Sequence, residues 1–139
     1  MLDIETIVTG HGNFATGFKS AVELLAGVQP SIKYIDFTEG MSDVDLGKKI
    51  KSSINEKPTL IFCDLVGGTP YKEAAKIAFN ENNVQVVAGC NLASLLETIF
   101  NRYDSLSDYA NELVKISKMS IQTLDLSDLS NGEKSEDGI

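Results

Sequence analysis

Histidine is almost missing from this chain, with one residue, His11, in 139. Cysteine is scarce as well: Cys63 and Cys90 stand far apart, without CxxC spacing. That scarcity excludes a disulfide framework, and one histidine among scattered carboxylates makes no zinc-type ligand set. No metal and no cofactor is expected. Basic residues are outnumbered, 12 Lys and Arg against 20 Asp and Glu, for a net charge of −8. Phosphate backbones need clustered Lys and Arg, so nucleic acid is excluded as a partner. The acidity suits a basic protein partner, or solubility alone. No apolar run approaches membrane-spanning length and no secretory leader is seen, so a cytoplasmic location is expected, with any membrane link made through a partner. No serine sits in a nucleophile elbow, and Gly10-His11-Gly12 lacks the third glycine of a dinucleotide fingerprint.

What is present reads as one globular domain over residues 1–126, with an acidic, disordered tail over 127–139 that holds almost no apolar side chains. Residues 4–9 suit a central strand. From Asn13, the apolar residues Phe14, Phe18, Ala21 and Leu25 recur at helical spacing, and Gly27 with Pro30 closes that helix. Residues 32–37 form a second strand. Ser42 with Asp45 resembles a capping box ahead of a helix whose inner stripe is Leu46, Ile50 and Ile54. Thr59-Leu60-Ile61-Phe62-Cys63 is apolar enough for a strand buried on both faces. Thr69 can cap a helix starting at Pro70, with Tyr71, Ala75, Ala78 and Phe79 as its buried face. Residues 84–88 give a fourth strand. Asn91 then caps a helix carrying Leu92, Leu95, Leu96, Ile99 and Phe100. Another helix follows Ser107, with Tyr109, Leu113 and Ile116 inward, and residues 119–124 read as a last strand.

Strand, turn and helix alternate without hairpin signals. The expected fold is α/β, an open, mainly parallel sheet of four strands with helices on both faces. In such folds the carboxyl ends of the strands share one edge, where ligands bind. That edge gathers His11, at a strand-to-helix turn between two glycines, and Asp64, at the end of the third strand. A histidine that attacks phosphorus needs one ring nitrogen bare and the other held as N–H by an acceptor, and Asp64 is the candidate acceptor. The phosphoryl group brings roughly −1.5 to −2 charges and three acceptor oxygens. Helix starts at Gly12-Asn13 and at Gly67-Gly68-Thr69 offer amides, a dipole and the Thr69 hydroxyl to such an anion. These loops carry no Lys or Arg, which favours a held phosphoryl group over a tightly bound nucleotide. Each residue also has a plain structural use: Asp64 as a loop cap, Gly67-Gly68 as a tight turn, Cys63 as core and Cys90 as an inert thiol.

Val8-Thr9-Gly10-His11-Gly12, Tyr34-Ile35-Asp36-Phe37, Asp64-Leu65-Val66-Gly67-Gly68-Thr69-Pro70 and Val87-Ala88-Gly89-Cys90-Asn91-Leu92 stand in order along the chain. In sequence and spacing they resemble the mannose-family enzyme IIA domain of the bacterial phosphoenolpyruvate-dependent sugar phosphotransferase system, as far as about Arg102. The resemblance implies a phosphocarrier in which His11 accepts a phosphoryl group from phospho-HPr and passes it to enzyme IIB for sugar uptake. It implies modification of the ε2 nitrogen, Asp64 beside the ring, and Thr69 near the phosphoryl group. It also implies a homodimer in which a C-terminal strand, here residues 119–124, joins the partner's sheet. The chain departs from several relatives at Asn13 and Val66, where those carry aromatics, and it reads as a free-standing subunit without a fused enzyme IIB. The sugar is not encoded in this component, which never touches it.

A different class is a receiver-type signalling domain phosphorylated on Asp64. It calls for an acidic pair after the first strand to hold Mg²⁺, where this chain has Thr9-Gly10-His11. A flavin or nucleotide module calls for a longer phosphate loop and aromatic flanks, and neither is present.

Overall fold

The computed structural model describes residues 2–89 and 91–130. Strand β1 (Glu5–His11) leads into helix α1 (Phe14–Ala26), followed by β2 (Ile32–Phe37), α2 (Asp43–Ser53), β3 (Thr59–Cys63), α3 (Thr69–Asn80), β4 (Val84–Ala88), α4 (Leu92–Thr98), α5 (Leu106–Ser120) and α6 (Leu126–Ser130). The strands form one four-stranded parallel sheet in the order β2-β1-β3-β4. The expected α/β architecture is therefore present.

Successive side chains of the strands point into different helix layers, so the central strands β1 and β3 are buried on both faces and the edge strands β2 and β4 partly so. Val8, Leu60, Phe62 and Val87 pack with Ala15, Val22, Leu95 and Leu113 of α1, α4 and α5. Their neighbours Ile7, Ile35, Ile61 and Cys63 pack with Leu46, Ile50, Ala74 and Ile77 of α2 and α3. All five residues of β3 are buried, and each large apolar side chain there contributes about 1.5–3 kcal/mol by leaving water. Ser42 caps α2 by accepting the Asp45 N–H at 3.0 Å. Asn91 caps α4 through the Ser94 N–H at 3.0 Å.

Several expectations shift in phase. β1 runs two residues past Thr9, because pairing with β2 continues through His11 opposite Phe37. In α1 the buried residues are Ala15 and Val22, while Leu25 faces outward. Helix α3 begins at Thr69 with Gly68 at its cap position and Pro70 inside the first turn. Thr69 is therefore not the cap. The buried face becomes Pro70, Glu73, Ala74 and Ile77, and Phe79 is 90% exposed. Phe100 is also exposed, because α4 ends at Thr98. Helix α5 starts under a Ser105 cap, one residue before Ser107, and continues through Met119 and Ser120. Residues 121–125 carry no regular structure, so 119–124 is not a strand within the single chain. A strand needs a neighbouring edge for its backbone groups, and α5 supplies helical partners to the first of these residues instead. Residues 127–130, expected in the tail, belong to α6. Cys90 and residues 131–139 lie outside the described residues.

Candidate functional site

β1 and β3 are adjacent, with Thr9 opposite Cys63, so the next residues of both strands emerge side by side at the carboxyl edge. This puts His11 next to Asp64 although 53 positions separate them. The Asp64 carboxylate holds His11 twice. Its Oδ2 accepts the His11 backbone N–H at 2.9 Å and meets ring Nδ1 at 2.6 Å. Its other oxygen accepts the Leu65 N–H at 2.9 Å. Burial pushes the Asp64 carboxyl up, but the His11 N–H, the His11 ring and the Leu65 N–H outweigh it and hold the pKa below the ordinary carboxylate value.

A carboxylate only accepts, so Nδ1 carries a proton, and in the neutral ring it is Nε2 that keeps the lone pair. Asp64 is largely covered, its side chain 10% exposed, whereas the His11 side chain is 46% exposed. The buried partner orients and the open one is presented. Phe37 sets its ring edge-on to the imidazole at 5.9 Å between centroids.

Gly68 explains the Gly-Gly pair. A Cβ at this position would stand 2.6 Å from His11 Cε1 and 3.1 Å from Nε2. Only a residue without a side chain lets the start of α3 come this close to the Cε1–Nε2 edge of the ring. Gly67 takes φ +85°, which the turn out of β3 requires. Behind them α3 begins at this edge with no side-chain cap bond, which places the positive end of its dipole there. Thr69 is the first residue of this helix.

The other helix start behaves differently. The Gly12 N–H donates to the Phe37 carbonyl at 2.8 Å, so that amide is committed within the fold, and Gly12 contributes its positive φ of 58° instead. Asn13 occupies the cap position of α1, but its side chain makes no cap bond. The Thr16 N–H and hydroxyl both donate to Asp36, at 3.0 and 2.7 Å. Asp36 stood in a motif of the sequence, yet nothing in the one-dimensional pattern pointed to this contact. Cys63 is buried in the core beneath the site.

The sequence model of the family described as PTS system fructose IIA component matches residues 5–119. The PTS system sorbose-specific EIIA component of Lacticaseibacillus casei is 38% identical over 117 residues, 81% of this chain and 85% of that protein. The PTS system fructose-specific EIIA component of Bacillus subtilis (strain 168) is 30% identical over 124 residues, 86% of this chain and 85% of that protein. Among solved structures, the phosphotransferase system component EIIA from Streptococcus agalactiae superposes with a TM-score of 0.81 at 29% identity, covering 89% of this chain and 98% of that one.

Proposed function

Because the chain belongs to the PTS system fructose IIA component family, the mannose-family enzyme IIA components of the sugar phosphotransferase system, we propose that it carries its phosphoryl group on His11 Nε2. The single observation behind this reading is the 2.6 Å contact between Nδ1 and Asp64, which leaves the opposite nitrogen of a half-exposed ring free to react.

Nε2 attacks phosphorus in line, the new N–P bond forms, and the donor's own bond to phosphorus breaks. Nδ1 keeps its proton, so the phosphorylated ring is an imidazolium, stabilised by the Asp64 carboxylate behind it. A cationic ring is also the better leaving group, which suits a carrier that must give the phosphoryl group away. The phosphoryl oxygens face the start of α3, where the Gly67, Gly68 and Thr69 amides and the Thr69 hydroxyl serve as donors. Asn13, at the exposed mouth of the opposite turn, borders the same space. Asp64 itself acts as the orienting group. Its oxygens already accept three N–H bonds, which makes it a poor phosphoryl acceptor.

The donor in this reading is phospho-HPr and the acceptor enzyme IIB, met in the cytoplasm. No described helix is long and apolar enough to cross a membrane, and the membrane enters through the permease components. A homodimer belongs to the same reading: β4 is the last strand in the sheet order, and the nearby C-terminal stretch exposes Ile121, Leu124 and Leu126. Incubation with phosphoenolpyruvate, enzyme I and HPr is expected to label the chain with an acid-labile, base-stable phosphate that disappears in His11→Ala. A base-labile label that survives this substitution would contradict the proposal.

A further inference from the structure

The helix that follows His11 is capped from another strand. Its own cap residue, Asn13, belongs to the residue types that cap best, yet its side chain makes no cap bond. Asp36, one residue before the end of β2, reaches over and accepts from Thr16 in the first turn of α1. One carboxylate oxygen takes the backbone N–H at 3.0 Å and the other takes the hydroxyl at 2.7 Å. The next residue of β2, Phe37, accepts the Gly12 N–H through its carbonyl at 2.8 Å and sets its ring against the imidazole. The turn that carries His11 is thus fastened to β2 from both of its ends. A local cap would hold the helix to itself. A cap from β2 holds the helix, and with it the turn, to the sheet.

From this we infer that Asp36 is a positioning residue for phosphoryl transfer, fixing through Thr16 and the Gly12–Phe37 contact the angle at which His11 presents Nε2. The inference rests on the proposed carrier role of His11. In-line displacement is sensitive to a misplacement of about 1 Å, which lowers rates by around a hundredfold. Asp64 fixes which nitrogen is bare, while Asp36 fixes where that nitrogen points. The carboxylate also occupies the N-terminus of α1, which leaves the start of α3 as the open anion-facing helix end.

The test measures single-turnover transfer from phospho-HPr together with the NMR signals of the only imidazole in the chain. Asp36→Ala is expected to lower the saturated rate by about tenfold or more, with the half-saturating donor concentration within about twofold, since the donor's docking surface is unchanged. Asp36→Asn accepts from the Thr16 N–H and donates to its hydroxyl oxygen, and should stay within about threefold of wild type. Thr16→Ser should match wild type and Thr16→Val should fall between. A wild-type rate in Asp36→Ala would overturn the inference, as would an Asn variant as slow as Ala, which would make charge rather than geometry the cause. If Asp36→Ala does not fold, Thr16→Val against Thr16→Ser carries the same contrast. Should wild type accept no phosphate, the carrier reading fails on its own. The ring signals still decide the positioning claim, which expects the His11 Nδ1–H resonance to shift in Asp36→Ala and is refuted by an unchanged one.

Discussion

In the proposed carrier the two ring nitrogens of His11 have separate tasks, and Asp64 assigns them. Replacing Asp64 by Ala leaves Nδ1 without its acceptor and lets the other tautomer compete, so transfer should slow by about 10- to 100-fold, the range typical of lost orienting partners. Stopped-flow transfer from phospho-HPr measures this, and an unchanged rate would remove Asp64 from the mechanism. The same carboxyl predicts a pH effect. Its pKa is lower in the folded chain than in the unfolded one. Between those two values the unfolded state binds the extra proton, so stability rises with pH there. The contribution is complete above the ordinary carboxylate value and disappears as pH falls through the lowered one. Denaturant titrations across the acid range should show a shallower slope for Asp64→Asn than for wild type. Parallel slopes would mean that the carboxyl is not perturbed by the fold.

On the scale of turns and helices, Gly68 separates activity from stability. Its backbone, at φ −77° and ψ 172°, is open to any L-residue, so Gly68→Ala carries no backbone strain, and up to about 1 kcal/mol from a stiffer unfolded chain offsets part of the cost of moving the His11 ring aside. The added methyl, however, meets the His11 ring and should lower transfer at least about tenfold through misplacement of Nε2. Thermal melts beside transfer assays check both halves, and a fast, stable variant would contradict the geometry. Ser42→Ala is the opposite case. It removes the cap bond to Asp45 and should lose about 1 kcal/mol of stability, with transfer unchanged at temperatures where the protein is folded.

These elements also show what the sequence could and could not reveal. The strands were legible because both faces are apolar, as in Leu60-Ile61-Phe62-Cys63, and the caps because Ser42 and Asn91 bond only a few residues on. Helix phase was less legible. The rotation of α3 that exposes Phe79 and buries Glu73 follows from a start at Thr69 rather than Pro70, one residue that the Thr-Pro signal does not resolve. Asp64 could be paired with His11 because strand order brings two strand ends together. Asp36 could not, because its bond to Thr16 depends on side-chain reach across the β2–α1 gap. Residues 119–124, expected as a strand, span the last two residues of α5 and the irregular stretch after it, where amphipathic periodicity cannot tell a helix end from an extended segment that needs a partner's edge.

Taken as a molecule, the protein presents the half-exposed His11 ring on an acidic body, net −8. The loops around His11 contain Glu39 and Asp64 but no Lys or Arg. Encounter with a donor that is basic around its own phosphohistidine should therefore be steered by charge, and the second-order transfer rate should fall several-fold between low salt and about 0.5 M, as the screening length drops well below 10 Å. A salt-independent rate would place recognition in apolar contacts such as the exposed Leu65 and Val66 instead. Sedimentation of the full chain tests the homodimer, for which a monomer at all concentrations would be the contrary result. The most direct measurement uses the scarcity of histidine, since one imidazole gives one unambiguous pair of ring-nitrogen signals. In ¹⁵N-histidine-labelled protein phosphorylated through HPr, Nε2 should carry the phosphorus coupling while Nδ1 remains protonated. Phosphorus on Nδ1, or on a carboxylate with the imidazole unmodified, would contradict the account.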